Sequence, residues 1–337
     1  LCAVGLMFAG CNKRSGEDNP LLQKWDTPFE TAPFEKIKVE HYLPAFEAAI
    51  AEHNKEIQAI IDNAEAPTFD NTIAALDYSG ETLSKVAGVF FNMMAANTSE
   101  ELQKVNEQVG PMMATHSDNV SMNAKLFEKI KAVYDAKDSQ KYTGEQLALL
   151  EKTYNKFVRS GALLDAAKQE ELRKVNAELT KVESKFDANL LKESKAYQLV
   201  IDKEENLKGL PQGEIEKAAA LAKQEGKEGK WIFTLDNPSF MPFVTYADNR
   251  DLRKEIFNAR VNRCNNGGET DNNALVAQMS ELRAKKAQLL GYETFAHYQL
   301  EERMAKEPKA VFDLLENLLS YSVKVAKEEA AQFQTML

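Results

Sequence analysis

The sequence predicts a mainly α-helical fold with a minor two-stranded β element. Three observations predict it. Apolar residues recur at the three- and four-residue spacing of a helix along most of the chain. The stretch 165–194 is rich in Ala, Leu, Glu and Lys, all good helix formers. Only two short runs, 197–202 and 231–235, carry the β-branched and aromatic character of strands.

The elements follow in order. From 39 to 63, Leu43, Phe46, Ile50, Ile57, Ile60 and Ile61 fall at helical spacing, with Pro44 near the start, where a helix tolerates it best. Thr68-Phe69-Asp70-Asn71 reads as a cap before one long helix through Leu76, Leu83, Val86 and Phe90. Asn97-Thr98-Ser99-Glu100 breaks and re-caps the chain, and helices are expected over 99–136, 143–159 and 165–194. Pro211-Gln212-Gly213 opens a helix over 214–224, and Gly226 to Gly229 leads into the second strand. Asp236-Asn237-Pro238 stops that strand, with Asn237 as an N-cap and Pro238 at the first helical position. Three helices come next. In the clearest, 271–290, Leu275, Met279, Leu282 and Leu289 share a face and Gly291 closes the end. Thr294 can cap a short helix, and Pro308 can open a longer one through Val311, Leu314, Leu315, Leu318, Val325 and Phe333. That last helix ends without a cap, Gly or Pro, so the sequence is expected to be a fragment stopping in mid-helix. No period of 30 to 45 residues appears, which argues against a helical solenoid.

Composition bounds the function. A chain of 337 residues can bury a large core. With 42 basic and 52 acidic residues its net charge is −10, and no basic cluster stands out, which argues against nucleic acid as the main partner. Three Cys do not make a disulfide framework.

The N-terminus carries its own signal. Leu1 to Phe8 is apolar, and Phe8-Ala9-Gly10-Cys11 follows directly. This resembles a bacterial lipoprotein signal peptide over 1–10, with small residues before the cut and Cys11 as the lipid-attachment residue. Residues 11–30 then read as a tether and entry segment, and 31–337 as the helical body. Eight to ten apolar residues are too few to span a bilayer. The lipoprotein reading implies the bacterial cell envelope, on the extracytoplasmic side, with membrane attachment through Cys11.

No residue can be assigned a catalytic or metal-binding role from motifs. None of His41, His53, His116 and His297 is followed by Glu, and no two stand four apart. Glu40-His41 reads as part of the first helix, His297 as packed or solvated, and His53 and His116 as isolated on helical runs. Cys264 follows Arg260 and Arg263, which could lower its thiol pKa, but no His lies near in sequence to act as its base. Arg250, Arg253, Arg260 and Arg263 have helical spacing, which fits a solvated face or pairing with Asp251 and Glu255 better than an anionic groove. There is no Gly-x-Ser-x-Gly elbow, phosphate loop or Cys-x-x-Cys.

The stretch from Trp231 to Pro308, with Asp236-Asn-Pro-Ser-Phe-Met-Pro-Phe243 and Ala287-Gln-Leu-Leu-Gly-Tyr292, resembles the middle of the M3 (thimet oligopeptidase-like) zinc peptidases, in particular their peptidyl-dipeptidase subgroup. Asn19-Pro-Leu-Leu22, Ala32-Pro-Phe-Glu-Lys-Ile-Lys38, Glu40-His-Tyr-Leu-Pro-Ala-Phe46, Pro67-Thr-Phe-Asp-Asn-Thr-Ile73, Phe157-Val-Arg-Ser-Gly-Ala-Leu163 and Phe186-Asp-Ala-Asn-Leu-Leu191 extend the resemblance to about residues 19 to 337. It implies the N-terminal part of a two-lobed helical metallopeptidase with a channel between its lobes. It also implies short or unfolded peptides as substrates, Zn2+ as cofactor, and C-terminal dipeptides or internal fragments as products. The zinc motif, His-Glu-x-x-His, is expected beyond Leu337, so no zinc is expected on these residues. A complete helical lipoprotein that binds peptides or partners without catalysis is the alternative of another class.

Overall fold

The computed structural model describes residues 19–336. Its helices are α1 (Val39–Asp62), α2 (Ala75–Tyr78), α3 (Glu81–Ala96), α4 (Glu100–Ser121), α5 (Ala124–Asp135), α6 (Gly144–Arg159) and α7 (Ala166–Ala196). They continue with α8 (Gln212–Gln224), α9 (Asn237–Tyr246), α10 (Arg250–Val261), α11 (Asn273–Leu289), α12 (Phe295–Leu300) and α13 (Pro308–Met336). Strands β1 (Leu199–Ile201) and β2 (Trp231–Phe233) pair antiparallel, with Val200 opposite Ile232. The mainly helical class and the small sheet are as the sequence predicts.

Two compact units divide the chain. One takes the described residues through Ala177 together with those from Ala284 onward, and the other is Glu178–Arg283. In the first unit, Tyr42, Ala45, Phe46 and Ala49 of α1 form one buried face and meet Val86 and Phe90 of α3 and Leu102 and Val109 of α4. Phe90 takes both Tyr42 and Phe46 edge-on, at 5.0 and 5.4 Å between ring centres, the geometry that aromatic quadrupoles favour. Further along α1, Ile57 and Ile60 join a second apolar cluster with Ile73, Leu126, Ile130, Leu150 and Phe157. His53 therefore lies between two apolar stretches of its own helix.

The ends of these helices follow from local chemistry. Ser99 accepts the Leu102 N–H at 3.3 Å, and Thr143 and Gln146 close a reciprocal capping box on α6. Two expected helices are broken. The one expected to run from Asn71 through Phe90 becomes a π-helical turn, Phe69–Ala74, then α2, then α3. Ser79 is extended there and Gly80 left-handed, at φ +74°. The expected 99–136 helix stops at Met122, because Asn123 accepts the Leu126 N–H at 3.0 Å and caps α5. α9 also starts one position earlier than expected, at Asn237, with Asp236 rather than Asn237 as N-cap and Pro238 second in the helix.

A polar cluster holds the two sequence segments of the first unit together. Arg159, at the end of α6, donates to the Tyr298 carbonyl at 2.7 Å, pairs with Glu301 and Glu302, and stacks over the Tyr298 ring. In the second unit, Leu199, Ile201, Phe233 and Leu235 pack with Phe240 and Phe243 of α9 and Ile256 of α10. Asn189 and Asn272 join side chain to side chain at 2.8 Å in a buried pair. Among the described residues no helix is long and apolar enough to cross a membrane.

Candidate functional site

The structure brings together two histidines that the sequence separates by 63 residues. His53 of α1 and His116 of α4 face each other with Nδ1 and Nε2 at 2.9 Å, and His53 Nε2 lies 3.1 Å from Ser79 Oγ. They line a cavity of about 380 Å³ with Leu83, Met113, Ser117 and Phe157, and Asp77 and Lys156 also border it. The sequence reading of both histidines as isolated is corrected by this contact. Chain distance hid it, since α1 and α4 become neighbours only once their apolar faces have met.

Local geometry fixes the tautomers. The Ser79 hydroxyl donates to the Leu76 carbonyl at 2.7 Å, so its oxygen accepts from His53 Nε2–H. His53 Nδ1 is then an acceptor, and His116 Nε2–H donates to it. His116 Nδ1 is left as a buried lone pair with no partner. Burial lowers the pKa of both rings. Glu56 opposes that effect at His53, while Lys156 adds to it, and His53 adds to it at His116. Burial thus favours the neutral form of both rings. Gly80 completes the node. Its N–H donates to Glu56 at 2.7 Å, and a Cβ there would lie 3.0 Å from the His53 ring.

This arrangement does not make a nucleophile. Activation of Ser79 would need its hydroxyl proton to point at His53, but that proton goes to Leu76. The place that an orienting carboxylate would take behind the imidazole is held by neutral His116.

The other candidates are spent structurally. His41 Nδ1 accepts the Lys38 N–H at 3.0 Å and so caps the start of α1, and Glu40 lies 3.7 Å from Lys38. His297 sits in the first turn of α12, with Nδ1 2.9 Å from the Thr294 hydroxyl and Nε2 3.7 Å from Glu293. Cys264 is buried at φ +54°, and burial, followed by its contact with Glu193, raises its thiol pKa above the effect of Arg263. The suggestion that its arginines would lower that pKa is thus overturned. Arg253 donates to the Ala247 and Asp248 carbonyls. Arg260 donates to the Leu235 carbonyl and Asn237, and Arg263 reaches Ser194 at 3.0 Å. Arg253 and Arg260 thus fasten loops, and Arg263 reaches α7, rather than pairing along α10 with Asp251 and Glu255. Arg250 is exposed. Cys11 lies outside the described residues.

Zinc does not fit these residues. The sequence holds no His-Glu-x-x-His, and the described residues hold no group of three His, Cys, Asp or Glu side chains placed for a metal. The one imidazole pair is bonded to itself, and Glu56 is committed to Gly80. No step of a metal-assisted reaction is therefore assigned to a residue of this chain.

Known proteins similar to this chain are named as peptidases. The dipeptidyl carboxypeptidase of Escherichia coli is 32% identical over 319 residues, covering 95% of this chain and 47% of its own. That of Salmonella typhimurium is 33% identical with the same coverage. Organellar oligopeptidase A of Arabidopsis thaliana is 31% identical, covering 92% of this chain and 39% of its own. The profile of Peptidase family M3 matches residues 243–337. The chain is thus similar to peptidase family M3 over residues 243–337 and to these named peptidases over most of its length. It spans about half the length of the curated relatives it matches.

Proposed function

We propose that the protein to which this chain belongs is a zinc-dependent peptidase releasing C-terminal dipeptides from short peptides. The observation that carries this reading is similarity running through 95% of the chain to two proteins named dipeptidyl carboxypeptidase. In this reading the zinc ligands and the Glu that activates water come from sequence outside the 337 residues, and the metal polarises the scissile carbonyl. Oligopeptidase A relatives favour a second reading, cleavage inside oligopeptides. The test is an extended chain, continued through the coding sequence after Leu337, assayed on N-blocked tetrapeptides. Dipeptide release that stops on chelation supports the first reading, and cleavage of longer peptides at internal bonds alone supports the second. A stop codon directly after Leu337 would defeat both, leaving a binding protein without catalysis.

The protein is further proposed to sit at the bacterial cell envelope, facing out of the cytoplasm and held by a lipid on Cys11. The apolar run before Phe8-Ala9-Gly10-Cys11 supports this. Two or three acyl chains hold a protein firmly on a bilayer, whereas one holds it marginally. Cys11→Ala is expected to move the protein from the membrane to the soluble fraction, and equal retention of the variant would sink the lipid anchor.

A further inference from the structure

The His53–Ser79–His116 chain takes no part in the proposed hydrolysis, yet its bonding makes it sensitive to protons. A proton added to His53 goes to Nδ1, the atom that accepts from His116, and sets two N–H donors against each other across 2.9 Å. A proton added to His116 goes to its own Nδ1, which is buried with no acceptor. Either event breaks the bond or leaves a charge unpaired in a buried place, which is costly. The surrounding charges do not cancel this. Glu56 on α1 favours protonation of His53 and Lys156 on α6 opposes it. Asp77 of α2 borders the cavity, while α3 and α4 present Leu83, Ser84, Met113 and Ser117 beside it, with no titratable group besides His116.

We propose that the His53–His116 hydrogen bond is an acid-released latch between α1 and α4, fixed to the α2–α3 turn through Ser79, and that protonation opens the cavity beside it. The cavity, about 380 Å³, gives the protonated His53 ring room to turn toward Asp77. Turning of the ring also breaks its bond to Ser79 and leaves the Ser79–Gly80 turn held to α1 by the Gly80 N–H to Glu56 bond. This proposal goes beyond the peptidase reading and does not depend on it.

The chain contains four histidines, so selective isotope labelling of histidine gives a readable nitrogen spectrum. At neutral pH both His53 and His116 should show protonated Nε2 and bare Nδ1. On acidification both should titrate below the midpoint of a free imidazole and lose this pattern together. Hydrogen exchange, corrected for intrinsic rates, should then accelerate around Ser79–Gly80 and His116 by about ten-fold or more, as expected when a local hydrogen-bonded contact opens. Protection of α5 and α6 should stay unchanged. The double variant His53→Gln, His116→Gln can keep a side-chain bond without titrating and should lose this acid response. Free-imidazole titration of both rings in the native chain, or acid exchange uniform over the first unit, would overturn the latch. The spectrum of the native chain decides the question even if the double variant does not fold.

Discussion

Tyr197 keeps its hydroxyl buried and without a partner, and burial, with Glu255 nearby, pushes its pKa up to about 12. An unpaired buried hydroxyl costs stability that a phenyl ring does not. Tyr197→Phe is therefore expected to leave the chain equally stable or about 1 kcal/mol more so, as a urea midpoint would show. Gly80→Ala has the opposite outlook. It places a Cβ in a left-handed conformation at φ +74° and against the His53 ring. A loss of about 1–3 kcal/mol is expected, beyond the roughly 1 kcal/mol of the backbone conformation alone, and the same urea titration checks it. Neither residue could be chosen from sequence. Gly80 is one of 15 glycines, and its need appears only when the ring from α1 lies over it. His41 is legible only as part of the first helix, where it does lie, and its bond to the Lys38 N–H appears only in the structure.

At the scale of elements, local signals were legible and distant ones were not. Ser99, Thr143, Thr294 and Pro308 each begin a helix where the sequence placed one, because a cap acts within three residues of itself. The breaks at Ser79–Gly80 and Met122–Asn123 escaped, since apolar spacing continues across both. Asn123→Ala is expected to cost about 1 kcal/mol, the usual loss for a removed cap, with the start of α5 exchanging amide hydrogens faster. The last helix differs in kind from these. No described residue of α13 is buried, and Leu314, Leu315, Leu318 and Phe333 are exposed. Helices without tertiary support open readily, so amide protection after Pro308 is expected to fall well below that of α1 and α5. A fully protected α13 in the chain alone would contradict this.

For the whole molecule, acid and base act through groups already named. The lowered pKa values of His53 and His116 mean that the unfolded chain binds protons first as pH falls. Their contribution is complete above about pH 6.5 and is lost as pH drops from there through the lowered folded values. Tyr197 and Tyr292, both raised to about 12, act at the other end. The unfolded phenols ionise near pH 10, so stability falls between about pH 10 and pH 12. A plot of urea midpoint against pH should show both slopes with a plateau between. Chelator should leave that plateau unmoved, because the described residues offer no metal a ligand set. A chelator-induced drop, or one zinc per chain by elemental analysis, would contradict that expectation.

The Arg159 cluster has a consequence for synthesis. Its partner Glu301 lies 142 residues further along, with all of Glu178–Arg283 between. At a ribosomal pace of about 5–20 residues per second, Arg159 waits roughly 7–28 s for its carboxylate. During that time α6 can settle against α5, and Glu178–Arg283 can complete its own core. The first unit remains unfinished at this seam, with a guanidinium prepared for burial and still facing water. A nascent chain stalled before residue 292 should therefore be cut near Arg159 by a protease that spares the released protein.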